Sequence, residues 1–306
     1  DLARDHADTP MAGRTYGQVA SPTSFGAVAA EWGGPLLRHL DRLDELRARL
    51  LCVSLSGAAG TLSVMGDDGP AIRAGFAQAL ELGDPGASWH SARDRLAELA
   101  GWITLLTGSL GKMGEDMVLM TQSGLSELRL GETGGSSTMP QKQNPVQPSQ
   151  LVALAHHAAA LNGAMQGALI HRQQRDGGAW FTEWLSLAPM LQAAGRSTQL
   201  AQSVARGVTP DAQAMRGPVA GGLGLIHAEA LSFALAAQMP RPQAQAALKA
   251  LCAEAMKTDT PLPRLMARDH PGTDWEAVAR PEAQLGTAPQ QARAFAGAVK
   301  ARLAGG

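Results

Sequence analysis

The sequence predicts an all-α chain: a bundle of long helices followed by a small helical C-terminal domain. Three observations carry that expectation. Leucines recur at three- and four-residue steps through several long windows, the buried stripe of an amphipathic helix. Aromatic residues make up only 4% of the 306 residues, against 45% hydrophobic residues overall. Such an alanine- and leucine-rich composition favours helices packed through small side chains. No run shows a convincing strand pattern, and no short-period repeat is present.

Along the chain, the opening Asp1-Leu2-Ala3-Arg4-Asp5-His6 is polar and reads as mid-helix. It has neither an initiator Met nor a signal-peptide pattern, so an N-terminal domain is expected to be missing upstream. The first clear helix follows Pro22-Thr23-Ser24, with Leu36, Leu40, Leu43, Leu46 and Leu50 on one stripe. The small residues from Ser56 to Thr61 break it in a turn. A short helix is expected over Pro70 to Leu82. A long one runs from Ser91 to about Gln122, with Leu96, Leu99, Ile103, Leu106 and Leu110 on its buried face. Residues 123–145 lack periodicity and hold many Gly, Ser and Pro residues, a loop of a length usually kept for function or disorder. Helices are expected over 146–169, 180–206, 222–238 and 241–257, and a final amphipathic segment over 287–303. The Pro-, Asp- and Gly-rich stretch from Lys257 to Ala288 reads as irregular connection. Two regions result: 1–207, the central bundle, and 208–306, the end of the bundle with the small C-terminal domain.

The 26 basic and 27 acidic residues leave no overall basic field, which argues against nucleic acid or an anionic membrane surface as partner. No stretch approaches the ~18 apolar residues of a membrane span. Cys52 and Cys252 are far apart and outside any metal-ligand spacing, and they read as reduced thiols of a cytoplasmic protein. Several helices are apolar over wide faces, so an oligomer is expected.

The most informative segment is Gly134-Gly135-Ser136-Ser137-Thr138-Met139-Pro140-Gln141-Lys142-Gln143-Asn144-Pro145. It reads as a Gly-Ser loop leading into a helix that begins near Pro145, where the fixed φ of proline suits a first turn. A helix N-terminus and a lysine both favour a nearby anion. A serine there would lose its proton more easily than in water and act as a general base, while Lys142 and Asn144 hold a carboxylate. The segment has neither the nucleotide P-loop order nor the Gly-x-Ser-x-Gly of a serine-hydrolase elbow. On composition alone, a plain surface loop is the competing reading.

Ser136 to Asn144 resembles the Ser-Ser-x-Met-Pro-x-Lys-x-Asn motif of the fumarase/aspartase superfamily, a long and specific pattern. The resemblance implies a long-helix bundle of the fumarase/aspartase type, assembled as a homotetramer whose active sites take segments from three subunits. It implies Ser136 as the base that removes a proton next to a carboxylate, with Ser137, Lys142 and Asn144 binding substrate. Met11 to Gln18 is similar to the family's Gly-Arg-Thr-His-x-Gln segment, which makes Thr15, Tyr16 and Gln18 substrate contacts. Trp89-His90-Ser91-Ala92-Arg93-Asp94 resembles the Trp-His-Thr/Ser-x-Arg-Asp segment of the muconate cycloisomerase branch and brings in Arg93. Arg175 to Trp180 with Glu183-Trp184 also resembles that branch, and Gly222 to Ala230 resembles a helix shared with adenylosuccinate lyases.

Two departures point the same way. The family's histidine is replaced by Tyr16, and the glutamate that pairs with it in fumarases is here Ser149. Such a pair works as a unit, the carboxylate holding the imidazole's tautomer, so losing both members is more coherent than losing one. The bacterial muconate cycloisomerases also lack this pair. The resemblance therefore implies a cofactor-free and metal-free interconversion of 3-carboxy-cis,cis-muconate, a small polycarboxylate, and its lactone. The alternatives are an adenylosuccinate-lyase-like C–N lyase and an inactive oligomeric binding paralogue.

Other side chains invite plainer readings. Tyr16 reads equally as a packing aromatic, Arg93 as a solvated helix-start charge, and His90 as an ordinary helix-start histidine. His156 and His157 are adjacent on a helix and cannot share a metal. His227 reads as a hydrogen-bonded core histidine, and Met113, Met117 and Met120 as core or interface. Gly108 to Lys112 faintly resembles a phosphate loop but sits inside a helical pattern.

Overall fold

The computed structural model describes residues 1–135, 138–139 and 141–305. In chain order a short helix α1 (Leu2–Asp5) precedes strands β1 (Pro10–Thr15) and β2 (Gln18–Ser24) and the long helix α2 (Phe25–Leu50). Then come α3 (Gly69–Ala79), α4 (Asp94–Met120), the two-residue strand β3 (Leu128–Arg129), α5 (Val146–Gly167) and α6 (Gly177–Gly207). The two-residue strand β4 (Thr209–Pro210) leads to α7 (Ala212–Ala220), α8 (Ala228–Leu235), α9 (Arg241–Thr258), α10 (Leu262–Asp269), α11 (Trp275–Val278) and α12 (Ala288–Ala304). The expected long helices are present except the one over 222–238, where left-handed Gly222 and Gly224 make a turn and only the short α8 forms; the class is all-α with minor strands.

Three expectations need correction. Residues 10–24 form an antiparallel hairpin, Pro10 opposite Ser24 and Thr15 opposite Gln18, where no strand was foreseen. The stretch 257–288 is mostly ordered: α10 and α11 occupy it, each entered from a side-chain cap or a proline-set turn. The segment after 208 holds the additional helix α7, capped by the Asp211 carboxylate accepting from the Gln213 and Ala214 amides.

The residues pack as two compact units that interleave along the chain. One comprises 1–34, 120–129 and 209–306, so the opening segment groups with the C-terminal stretch. Its core is Leu231, Leu235, Leu248, Leu251, Leu262, Met266 and Trp275, from α8 to α11. The Trp275 indole N–H donates to the His270 carbonyl at 2.7 Å, which lets the ring be buried without losing a hydrogen bond. His227 is buried, and its Nε2 lies 2.8 Å from the Val219 carbonyl, the core histidine that the sequence suggested.

The other unit comprises 35–119 and 130–208. Ala100 and Ile103 of α4 meet Ala158 and Met165 of α5 and Met190 and Ala194 of α6. Small side chains allow this approach; a Cβ on Gly111 would stand 2.7 Å from that of Ala155. Gly111 is thus a helix-packing residue of α4, while Gly108 and Lys112 lie on the exposed side of the same helix, as the helical pattern implied. His39, buried on α2, sits 2.9 Å from the Ser109 hydroxyl and accepts from Arg42 at 3.1 Å. Burial first, and then Arg42 and Arg38, holds its pKa below the usual value. Of the stripe read on α2, Leu46 is buried while Leu40 stays exposed.

Candidate active site

In the first unit the hairpin presents the Gly-Arg-Thr segment. Its turn is made by Tyr16 (φ 53°) and Gly17 (φ 72°), both left-handed, the geometry whose twist matches a two-residue hairpin. Thr15, Tyr16 and Gln18 are all exposed there, and Tyr16 makes no packing contact that covers it. The packing reading of Tyr16 therefore does not hold within its unit. Behind the tip, Arg14 is fixed by a two-pronged contact with Glu127: Nη1 to Oε2 at 3.0 Å and Nη2 to Oε1 at 2.7 Å. The Glu127 side chain is fully buried.

In the second unit the motif loop is tied at its base. The Gly134 amide donates to the Asn144 carbonyl at 3.0 Å, and the Asn144 amide donates back at 2.9 Å. Ser136 and Ser137 lie outside the described residues, as does Pro140. Lys142 is exposed, its amide bonded to the Met139 carbonyl at 3.0 Å, and Asn144 is half-buried. Helix α5 starts at Val146 with Pro145 as its N-cap, where the sequence placed the helix start.

Gly134 is needed at this base because a Cβ there would come within 2.6 Å of the Val146 side chain. Gly134→Ala should therefore pull the two arms of the loop apart. Turnover is expected to fall at least about tenfold, the scale on which a small misplacement of reacting groups acts, while the thermal midpoint moves little. Paired activity and melting measurements check this; unchanged activity would show that the base does not set the loop.

The same unit brings together two further segments that lie far apart in the sequence. Arg93 donates from Nε and Nη2 to Glu183 at 2.8 and 2.6 Å and from Nη1 to the Trp89 carbonyl at 3.3 Å. Its nitrogens are engaged, which makes it a brace onto α6, with its guanidinium 4.7 Å from the Trp89 ring centre. Neither a solvated charge nor a free carboxylate ligand describes that geometry. Arg95 also lies over Trp89, at 5.4 Å, and its buried Nη1 has no hydrogen-bond partner among the described residues.

Beside this brace, Arg175 donates to His90 Nδ1 at 3.1 Å and to the Gly57 carbonyl at 3.4 Å, and lies 4.7 Å over the Trp180 ring. Trp180 in turn donates its indole N–H to the His90 carbonyl at 3.2 Å. Burial, reinforced by Arg175 and Arg93, holds the His90 pKa below its ordinary value, so the ring is neutral near pH 7. Arg175 is exposed and forms no ion pair with an acidic group among the described residues. Asp176 next to it caps α6 and is held well below the usual carboxylate range, chiefly by Arg172. The Arg175–His90 pair was not among the expected site residues. The only sequence signal for it was that both segments matched one branch of the family.

No group of His, Cys, Asp and Glu among the described residues is arranged to hold a metal ion. His156 and His157 are exposed on α5, and both cysteines are free. No single described helix is long and apolar enough to cross a membrane.

The model of the lyase family matches residues 1–159. The chain is 39% identical over 260 residues to 3-carboxy-cis,cis-muconate cycloisomerase of Pseudomonas aeruginosa, covering 84% of this chain and 57% of that protein. It is 32% identical to nitrosuccinate lyase of Streptomyces davaonensis, covering 94% of this chain and 64% of that protein. The crystal structure of 3-carboxy-cis,cis-muconate lactonizing enzyme from Pseudomonas putida superposes with a TM-score of 0.89 at 33% identity, over 96% of this chain and 67% of that one. The chain thus spans a little over half the length of the first of these relatives.

Proposed function

From the premise that the chain belongs to the lyase family, within the fumarase/aspartase superfamily, we propose that it is the catalytic part of a cofactor-free cycloisomerase. The reaction interconverts 3-carboxy-cis,cis-muconate and its carboxymuconolactone. In the lactone-opening direction the Ser136 alkoxide takes the proton from the carbon next to a carboxylate. The electron pair left behind spreads into that carboxylate as an enediolate. Lys142 and Asn144 oppose the growing negative charge with Ser137 as a further contact, and Thr15, Tyr16 and Gln18 are proposed as the contacts that the hairpin of another subunit brings to a shared site. The enediolate then collapses, the ring C–O bond breaks, and the internal carboxylate leaves. Lactonisation is the reverse.

The observation that carries this reading is the loop base. Gly134, just ahead of the motif, and Asn144, its last residue, hydrogen-bond to each other in both directions at the start of α5. A substrate with three carboxylates also needs more than one cation. Arg175, exposed and without an acidic partner among the described residues, is the second one we assign to it. Arg93 supports the site through Glu183.

The active protein is proposed to be a cytoplasmic homotetramer with shared sites. Phe181, Trp184, Leu185 and Leu191 support an oligomer, since they leave an apolar stripe of α6 exposed at helical spacing. The test is spectroscopic. Added to 3-carboxy-cis,cis-muconate, the protein is expected to bleach the conjugated diene absorbance without releasing fumarate, and to leave adenylosuccinate untouched. Fumarate release from adenylosuccinate with a stable diene would replace this reading with the C–N lyase. Inertness toward both would favour a binding paralogue.

A further inference from the structure

We propose that His90 is a positioning residue for Arg175, a proton-sensitive latch that aims this cation at a substrate carboxylate. The kinetic arm of the argument rests on the cycloisomerase reading; the geometry stands apart from it. His90 is 8% exposed; two contacts meet its ring and a third holds its backbone carbonyl. Arg175 donates to Nδ1, Trp180 donates to the His90 carbonyl, and the Trp180 ring meets the imidazole edge-on with centres 6.1 Å apart.

An arginine has no acceptor, so the Arg175 hydrogen bond requires a lone pair on Nδ1 and the ring proton on Nε2. The latch therefore works only with neutral His90. Protonation would put an N–H where the lone pair was and a positive charge against a guanidinium. The charged groups that bear on the ring are Arg175 and Arg93, and Arg93 is in turn neutralised by Glu183. Both arginines and the burial oppose protonation, so the latch stays closed through neutral pH. It opens only as the pH falls below the ordinary imidazole value of 6.5. Arg175 would remain near Trp180, but with one fewer fixed contact its orientation is no longer set.

His90→Asn and His90→Phe separate this role from simple packing. The asparagine offers a carbonyl oxygen near the place of Nδ1 and does not titrate; the phenylalanine keeps the ring against Trp180 but has no acceptor. Wild-type protein is expected to show a KM for the lactone that rises as the pH is lowered from 6.5 to 5. His90→Asn is expected to keep KM within about threefold of wild type at pH 7.5 and to lose that rise. His90→Phe is expected to raise KM at least tenfold at pH 7.5, with kcat changed less than threefold. A phenylalanine variant with KM within twofold of wild type, or an asparagine variant with the wild-type pH profile, overturns the proposal.

Two readouts do not depend on turnover. Imidazole nitrogen NMR at pH 7.5 should show His90 as the Nε2–H tautomer, and a proton on Nδ1 overturns the latch. Binding of tricarballylate, a saturated tricarboxylate, should weaken at least tenfold in His90→Phe, and weakening under twofold overturns it. If wild-type protein binds tricarballylate but turns over no lactone, the cycloisomerase reading fails and the latch is decided by these two measurements. If it binds neither compound, Arg175 has no carboxylate to serve and the latch fails as well.

Discussion

Ser136→Ala is expected to lower lactone formation and opening by about 10²- to 10⁴-fold, the usual contribution of a positioned general base. The carbon acid next to a carboxylate holds its proton tightly, and the product of removing it carries two negative charges on adjacent oxygens. Water at neutral pH is a poor base for that step, and a serine hydroxyl is no better unless its alkoxide is stabilised. The N-terminus of α5 and the Lys142 ammonium both belong to the motif loop and its junction, and both favour negative charge there. Alanine removes the base and keeps those cations, so substrate affinity should survive while kcat collapses. The measurement is kcat and KM from the diene absorbance, with circular dichroism to confirm unchanged helix content. Activity within a few-fold of wild type would assign the base elsewhere.

The parts of this molecule that were legible in the sequence share one property: their signal is local. The stripe of Leu96, Leu99, Ile103 and Leu106 marks α4 because the period of a helix repeats within one window. The motif at Ser136 to Asn144 is legible because all its residues fall in one short segment. The hairpin was missed because its burial does not alternate. β1 runs from buried to exposed toward its tip, and the left-handed turn is made by Tyr16-Gly17 rather than by Asn-Gly. Helix α10 is hard to read because it lies in a Pro-, Asp- and Gly-rich stretch whose composition resembles irregular connection. Pro261 and Pro263 instead sit at the helix start, where the missing N–H costs nothing. The Arg175–His90 contact joins residues 85 apart and Arg14–Glu127 residues 113 apart. No periodicity reports such a pairing, and a charge near a helix start looks the same in sequence whether it is solvated or braced.

That last pair sets the largest expected effect on stability. Arg14→Met should destabilise the fold by about 3–5 kcal/mol, because it strands a buried carboxylate without its counter-charge. The Glu127 side chain is 0% exposed and the Arg14 side chain 23%, so water cannot replace the guanidinium. Glu127 is also held through its backbone, its amide donating to Met120 and its carbonyl accepting from Asp211, so it cannot swing out to solvent. A loss of that size takes a large part of the 5–15 kcal/mol that typically separates folded from unfolded domains. The penalty comes from the uncompensated charge rather than from a lost attraction. It follows that Arg14→Met combined with Glu127→Leu should recover most of the stability, to within about 1 kcal/mol of wild type, since apolar replacements of a buried ion pair are often close to neutral. Denaturant midpoints of the two single variants and the double variant form the test. A single variant as stable as wild type would mean that Glu127 finds another partner, and a double variant no better than Arg14→Met would mean that the pair holds the hairpin by geometry that apolar packing cannot replace.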